Sequence, residues 1–159
     1  MKTQLRNVAL VCLLACAIPF SSFAQRTDGA VGIGFQAGSP TGISVQFYNA
    51  DGASLDLLGA WDLDDFFFLN AHGLWDSHLG NSEVVHVYYG PGAFIGFYDR
   101  GNGEVVDGDD NIDFGLSGRL GLNVLAGPVE FFGHVTPRIG ILENTDLEIG
   151  GGGGIRFWF

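Results

Sequence analysis

The sequence predicts an all-β fold, an eight-stranded antiparallel β-barrel wound as an up-and-down meander. Three observations carry that expectation. Beyond residue 25 apolar residues alternate with polar ones at a period of two, no stretch has a helical period, and 26 glycines punctuate the 159 residues. The segment LEIGGGGGIRFWF places Phe159, Phe157, Ile155, Gly153, Gly151, Ile149 and Leu147 on one uncharged face, with Glu148 and Arg156 on the other. The first 24 residues read as an export leader, which sends the remainder to a compartment where a barrel can close in a membrane.

The leader has its parts in order. Lys2 and Arg6 form a positive start, residues 8–20 are apolar, and Ser22-Phe23-Ala24 before Gln25 has the small-x-small form of a cleavage site. An apolar run of about 13 residues falls short of the ~20 that a spanning helix needs. An alternative is a lipoprotein, because Leu13-Leu14-Ala15-Cys16 loosely resembles a lipobox that would lipidate Cys16. Leu14 fits that motif poorly, and the expected organisation is a cleaved leader, 1–24, and one barrel domain, 25–159.

Both cysteines, Cys12 and Cys16, lie in the leader, so the mature chain has no disulfide and no thiolate metal site. Lys2 and Arg6 leave as well; of 7 basic residues 5 remain against 18 acidic ones, a net charge of −13. A chain this acidic, without lysine after residue 24, is a poor partner for nucleic acid.

The expected strands are 31–38, 43–48, 53–62, 66–76, 84–98, 112–125, 129–141 and 147–159. The first interleaves glycines 32, 34 and 38 with apolar residues. In the second, Ile43, Val45 and Phe47 oppose Ser44, Gln46 and Tyr48. The third turns Asp56 and Asp62 inward, the fourth Asn70, His72 and Asp76, and the fifth His86 and Tyr88. In the sixth, Ile112, Phe114, Leu116, Leu120, Leu122 and Val124 oppose Asp113, Ser117, Arg119 and Asn123. In the seventh, Val129, Phe131, Val135, Ile139 and Ile141 oppose Glu130, His134, Thr136 and Arg138. The eighth puts Glu148 and Arg156 inward. Eight is an even number and the smallest seen for bacterial single-chain barrels, and eight strands of roughly 9–11 residues nearly exhaust the mature chain.

A soluble sandwich would alternate too, but it would turn its charges to water. The leader, the aromatic last strand and the lack of apolar residues for a separate core favour the membrane barrel. With both termini periplasmic, the turns at 49–52, 77–83 and 126–128 face inward, and those at 38–42, 63–65, 99–111 and 143–146 face outward. Only the third of the outward loops is long. Tyr48, Trp61, Phe66, Trp75, Tyr98 and Trp158 are expected in interfacial aromatic girdles.

Several motifs fail for want of context. Gly32-Ile33-Gly34-Phe35-Gln36-Ala37 fits a dinucleotide fingerprint but is followed by Pro40 in a turn and not by a helix. The glycines 150–154 lack the Lys-Ser/Thr ending of a phosphate loop. Asp107, Asp109, Asn111 and Asp113 have calcium-loop spacing, but Ile112 and Gly118 stand where glycine and an acid are required. Asp107, Asp109 and Asn111 remain weak candidates for loose cation binding, and no metal or cofactor is expected. Ser82 and Glu83 lie near His78 in a periplasmic turn, and His134 has no serine at compatible spacing on its strand, so no hydrolase is expected.

The interior is the candidate site, with Asp56, Asp113, Arg119, Glu130, His134, Arg138, Glu148 and Arg156 as a polar network. Arg119, Glu130, Arg138 and Arg156 lie on three consecutive strands and are expected to form a ladder, since charges in a low-dielectric enclosure must pair. One wall is bare: Gly32, Gly34 and Gly38 stand beside Gly150, Gly152 and Gly154. It is expected to be filled from opposite by arginine and tyrosine.

The segments VGIGFQAGSPTGISVQFY, LDLLGAW, YYGPGAFIGF and PVEFFGHVTPRIGILENTDLEIGGGGGIRFWF resemble the small outer-membrane barrels built on the plan of the OmpA transmembrane domain and OmpX. In particular the chain resembles a family of short-looped eight-stranded barrels of proteobacteria and spirochaetes, and the likeness covers nearly all of the mature chain. It implies architecture and no catalytic site. It further implies that Ile155, Phe157 and Phe159 are the signal read by the barrel-assembly machinery, although Gly151 and Gly153 thin the oily face.

The resulting expectation is a monomeric, non-enzymatic outer-membrane barrel of a Gram-negative bacterium. It would meet outer-membrane lipid, lipopolysaccharide and the assembly machinery, with a closed interior and a structural or minor surface-binding role. The alternatives are a small-solute pore, or a soluble periplasmic barrel holding a lipophilic ligand.

Overall fold

The computed structural model describes residues 26–62, 66–98, 111–141 and 147–159. Eight strands follow one another: β1 (Val31–Ser39), β2 (Gly42–Phe47), β3 (Ser54–Asp62), β4 (Phe66–His78), β5 (Val85–Tyr98), β6 (Asn111–Ala126), β7 (Val129–Gly140) and β8 (Leu147–Trp158). Each pairs antiparallel with the next, and β8 returns to β1, so the sheet is a closed barrel with no free edge. The closing ladder runs from Gly32 opposite Trp158 to Ser39 opposite Gly151.

The expected limits differ from the observed ones by a single residue, except that β4 runs on to His78. There Ser77 pairs with Val87 and His78 with His86, and the Leu79 amide donates to the Val85 carbonyl at 2.9 Å. The hairpin therefore stays zipped two residues further than its apolar alternation suggests. The β6–β7 connection is only Gly127-Pro128, with a φ of +64° at Gly127. A positive φ followed by proline's fixed negative one is a turn whose twist matches a hairpin.

One end of the barrel, here the near end, carries residues 26–30, Phe159 and the turns after β2, β4 and β6. The leader with Cys12 and Cys16, the 63–65 turn, the acidic loop with Asp107 and Asp109, and the 143–146 turn lie outside the described residues.

Side chains alternate across the wall. No outward-facing position of the described strands holds a charge. Phe35, Leu55, Trp61, Leu116, Leu120, Phe131 and Ile155 are among the large apolar residues left exposed there. Among the described residues three small apolar clusters lie inside: Ala30, Leu125 and Trp158 at the near end; Leu74, Tyr88 and Phe132; and Ala60, Phe68 and Phe94. Trp61 and Trp75 face outward as girdle residues would. Trp158 and Tyr48 do not: Trp158 has the parity of Arg156 and is buried, and Tyr48 packs edge-on against it with ring centroids 6.1 Å apart. Phe66 and Tyr98 have side chains outside the described set.

Candidate functional site

The interior is built from alternate residues of every strand, and between the apolar clusters it is polar. At the near end Asp76 on β4 accepts from Arg26 at 2.8 Å and from Asn123 on β6 at 3.2 Å, and it also bonds His86 Nδ1 on β5. Asn123 donates at 2.9 Å to Glu130 on β7, which also receives the Trp158 indole N–H at 2.7 Å. Arg156 on β8 reaches Glu130 at 3.3 Å, Ser44 on β2 at 2.6 Å and Asp56 on β3 at 2.6 Å, and it donates to Gln46. Arg119 on β6 crosses the lumen to the other oxygen of Asp56.

The network is neutral in sum: Arg26, Arg119 and Arg156 meet Asp56, Asp76 and Glu130. That balance is what burial demands, because an unpaired ion here would cost several kcal/mol. Each carboxylate is held by three side chains, which leaves none free to act as an acid or base without dismantling the cluster.

A second, uncharged layer lies towards the far end. His72 Nε2 and Ser117 Oγ are 3.0 Å apart, with Asn70 Oδ1 at 3.5 Å from the same hydroxyl. His134 bonds Gln36 on β1 at 2.8 Å and Thr136 at 3.0 Å. The Ser117–His72 pair has the composition of a nucleophile and base, yet His72 is 1% exposed and its Nδ1 has no partner among the described residues. Among the described residues no carboxylate or carbonyl holds His72 Nδ1 as a triad would, and the ring is buried.

The bare wall is filled. A Cβ at Gly150 would come within 2.6 Å of the Arg138 guanidinium, one at Gly154 within 2.7 Å of the Phe132 ring, and one at Gly32 would overlap the Arg156 stem. Gln36 covers Gly152. Arginine was expected there and is found, but Tyr88 lies over Gly121 instead, and Phe132 takes the place assigned to tyrosine. The glycines let bulky interior side chains lie against the backbone.

The residues singled out from sequence fall into three groups. Asp56, Arg119, Glu130 and Arg156 are brought together. Arg138 is separate from that ladder: it pairs with Glu148 at 3.3 Å, where Glu148 is largely exposed at the rim, and its guanidinium lies over Phe68. His134 belongs to the uncharged layer, and Asp113, half-buried on β6, makes none of these bonds. Ile155 and Phe159 are exposed on the outer face and Phe157 is half-buried. Asn111 begins β6 opposite Tyr98. Among the described residues no three His, Cys, Asp or Glu side chains converge on a metal position.

No protein-family model matches this sequence, and no curated protein matches it. Solved structures do. The N-terminal β-barrel domain of Pseudomonas aeruginosa OprF is similar over 84% of this chain and 100% of that one, with a TM-score of 0.64 at 13% identity. The fold is that of the small OmpA-like barrels. Neisserial surface protein A also matches, over 82% of this chain and 94% of its own, at 16% identity and a TM-score of 0.47.

Ser44, Gln46 and Asn123, which parity sets on the polar faces of β2 and β6, join the charged residues. Two participants in the charged network escaped the sequence reading, Trp158 and Arg26: Trp158 shares the inward parity of Arg156 but was assigned to a girdle. Arg26 precedes the first strand, where no periodicity exists to read.

Proposed function

We propose that this protein is an integral outer-membrane β-barrel, exported by its leader, with a closed polar interior and a structural role. The observation that carries the reading is the inverted distribution of charge. The described outward strand positions hold none, and the paired ions sit inside. A barrel in water would gain nothing from exposing Leu116, Leu120 and Ile155, whereas hydrocarbon requires such a face. The near end is then periplasmic, and lipid, lipopolysaccharide and the assembly machinery are its partners. We read the chain as a monomer and as non-enzymatic: inside the barrel the carboxylates of Asp56, Asp76 and Glu130 are each held by three side chains, and His72 is enclosed.

The test is extraction with detergent followed by gel migration with and without heating. A membrane-fraction protein whose band shifts on boiling supports the reading, and recovery in the soluble periplasmic fraction would overturn it. Planar-bilayer recordings address the interior. No discrete conductance is expected, and reproducible steps would replace the closed plug with a small-solute pore.

A further inference from the structure

The near mouth of the barrel encloses the Arg26 side chain. Tyr48 and Trp158 stand at 76° to one another, forming a corner of two ring faces. The Arg26 guanidinium sits in that corner, its Cζ 4.6 Å from the Tyr48 ring centroid and 5.3 Å from that of Trp158. Its Nη2 donates to Asp76 at 2.8 Å and lies 3.3 Å from His86 Nδ1. The side chain is 2% exposed.

The local sequence explains how Arg26 gets there. Thr27-Asp28-Gly29-Ala30 is a turn closed by the Ala30 amide on the Thr27 carbonyl at 3.0 Å, with a φ of +80° at Gly29. That conformation is cheap only for glycine. Asp28 accepts from the Ala50 amide and the Gly29 amide donates to the Tyr48 carbonyl, both at 3.0 Å, tying the segment to the β2–β3 turn. The turn sends residue 26 back over the lumen.

We propose that the near mouth is a guanidinium-binding cage, filled in cis by Arg26, which latches the segment before β1 across the opening. Two aromatic faces and one carboxylate accepting from Nη2 match a flat, delocalised cation that donates at its edge. A compact ammonium on a flexible stem cannot meet all three at once. The carboxylate is also prepared for that guest: His86 and Asn123 hold its orientation. The latch meets the Arg119–Asp56–Arg156 cluster only through Asn123, which bridges Asp76 and Glu130, and through the shared Trp158 ring; the two have no carboxylate in common.

Two measurements on the folded chain in detergent micelles test the proposal. The first is trypsin cleavage of the Arg26–Thr27 bond, read by N-terminal sequencing for a chain starting at Thr27. The latched protein should be cut at least about tenfold more slowly than Asp76→Ala or Tyr48→Leu, because cleavage follows the population of the open segment. Equal rates in proteins that keep the folded gel band would overturn the latch. The second is rescue. Arg26→Ala should convert to the unfolded band at a lower temperature, and millimolar ethylguanidinium should restore it while ethylammonium does not. Arg26→Lys should recover only part of the loss. If neither cation restores Arg26→Ala, or both do equally, the cage is not selective for guanidinium. Because both readings are made in micelles, they fail independently of the membrane assignment.

Discussion

Arg156 joins Ser44, Gln46, Asp56 and Glu130, residues drawn from three other strands. Replacing it with methionine leaves two buried carboxylates short of a partner, so Arg156→Met should lower the unfolding free energy in micelles by about 3–5 kcal/mol. Glu148→Gln also removes one end of an ion pair, but Glu148 is largely exposed, and its loss should cost less than about 1 kcal/mol. Urea titration of both variants checks the contrast, and a comparable loss in the two would contradict the burial argument. Parity assigned both residues to the inner face. It did not tell them apart, because depth along the barrel axis is a property of the staggered strands and not of any one of them.

Within the strands, glycine has two uses that its position decides. Gly154 faces inward under Phe132, where a Cβ would also overlap the Phe35 carbonyl, while Gly59 faces outward with open space beside it. Gly154→Val should therefore cost about 1–3 kcal/mol through overpacking, and Gly59→Val should stay within about 0.5 kcal/mol of the parent. Thermal conversion of the folded band ranks the two. The outer face of β6 supplies a second test. Leu120→Arg, in mid-strand, should cost about 2–4 kcal/mol in lipid, and Val84→Arg, just before β5, about 0–1 kcal/mol. Equal costs in vesicles would argue against a hydrocarbon belt at that level. The strands themselves were legible because one period of two served both faces at once. The exceptions lie where cross-strand pairing overrides pattern: β4 is extended by the His78–His86 pair, whose ring centroids are 4.4 Å apart.

For the whole molecule, four described arginines face acids inside or at the rim, so the acidic surplus of the chain falls mostly between the strands, Asp62 and Asp113 excepted. Raising salt from about 0.05 to 1 M should then leave the unfolding midpoint of the barrel nearly unchanged, since buried pairs are poorly screened. A steep loss would place the stabilising pairs in water. The sequence by itself determined the number of strands, their limits to within a residue or two, and, Tyr48 and Trp158 apart, which side chains face in, because all three follow from local alternation and turn chemistry. It also marked the glycine-lined wall. Only the tertiary structure decided which ions meet: that Arg119 crosses to Asp56, that Trp158 turns from the interface to Glu130, and that Arg26 lies in the near mouth. Those contacts join residues 63, 28 and 50 positions apart. Closure and stagger of the barrel bring them together, and no period in the chain records either.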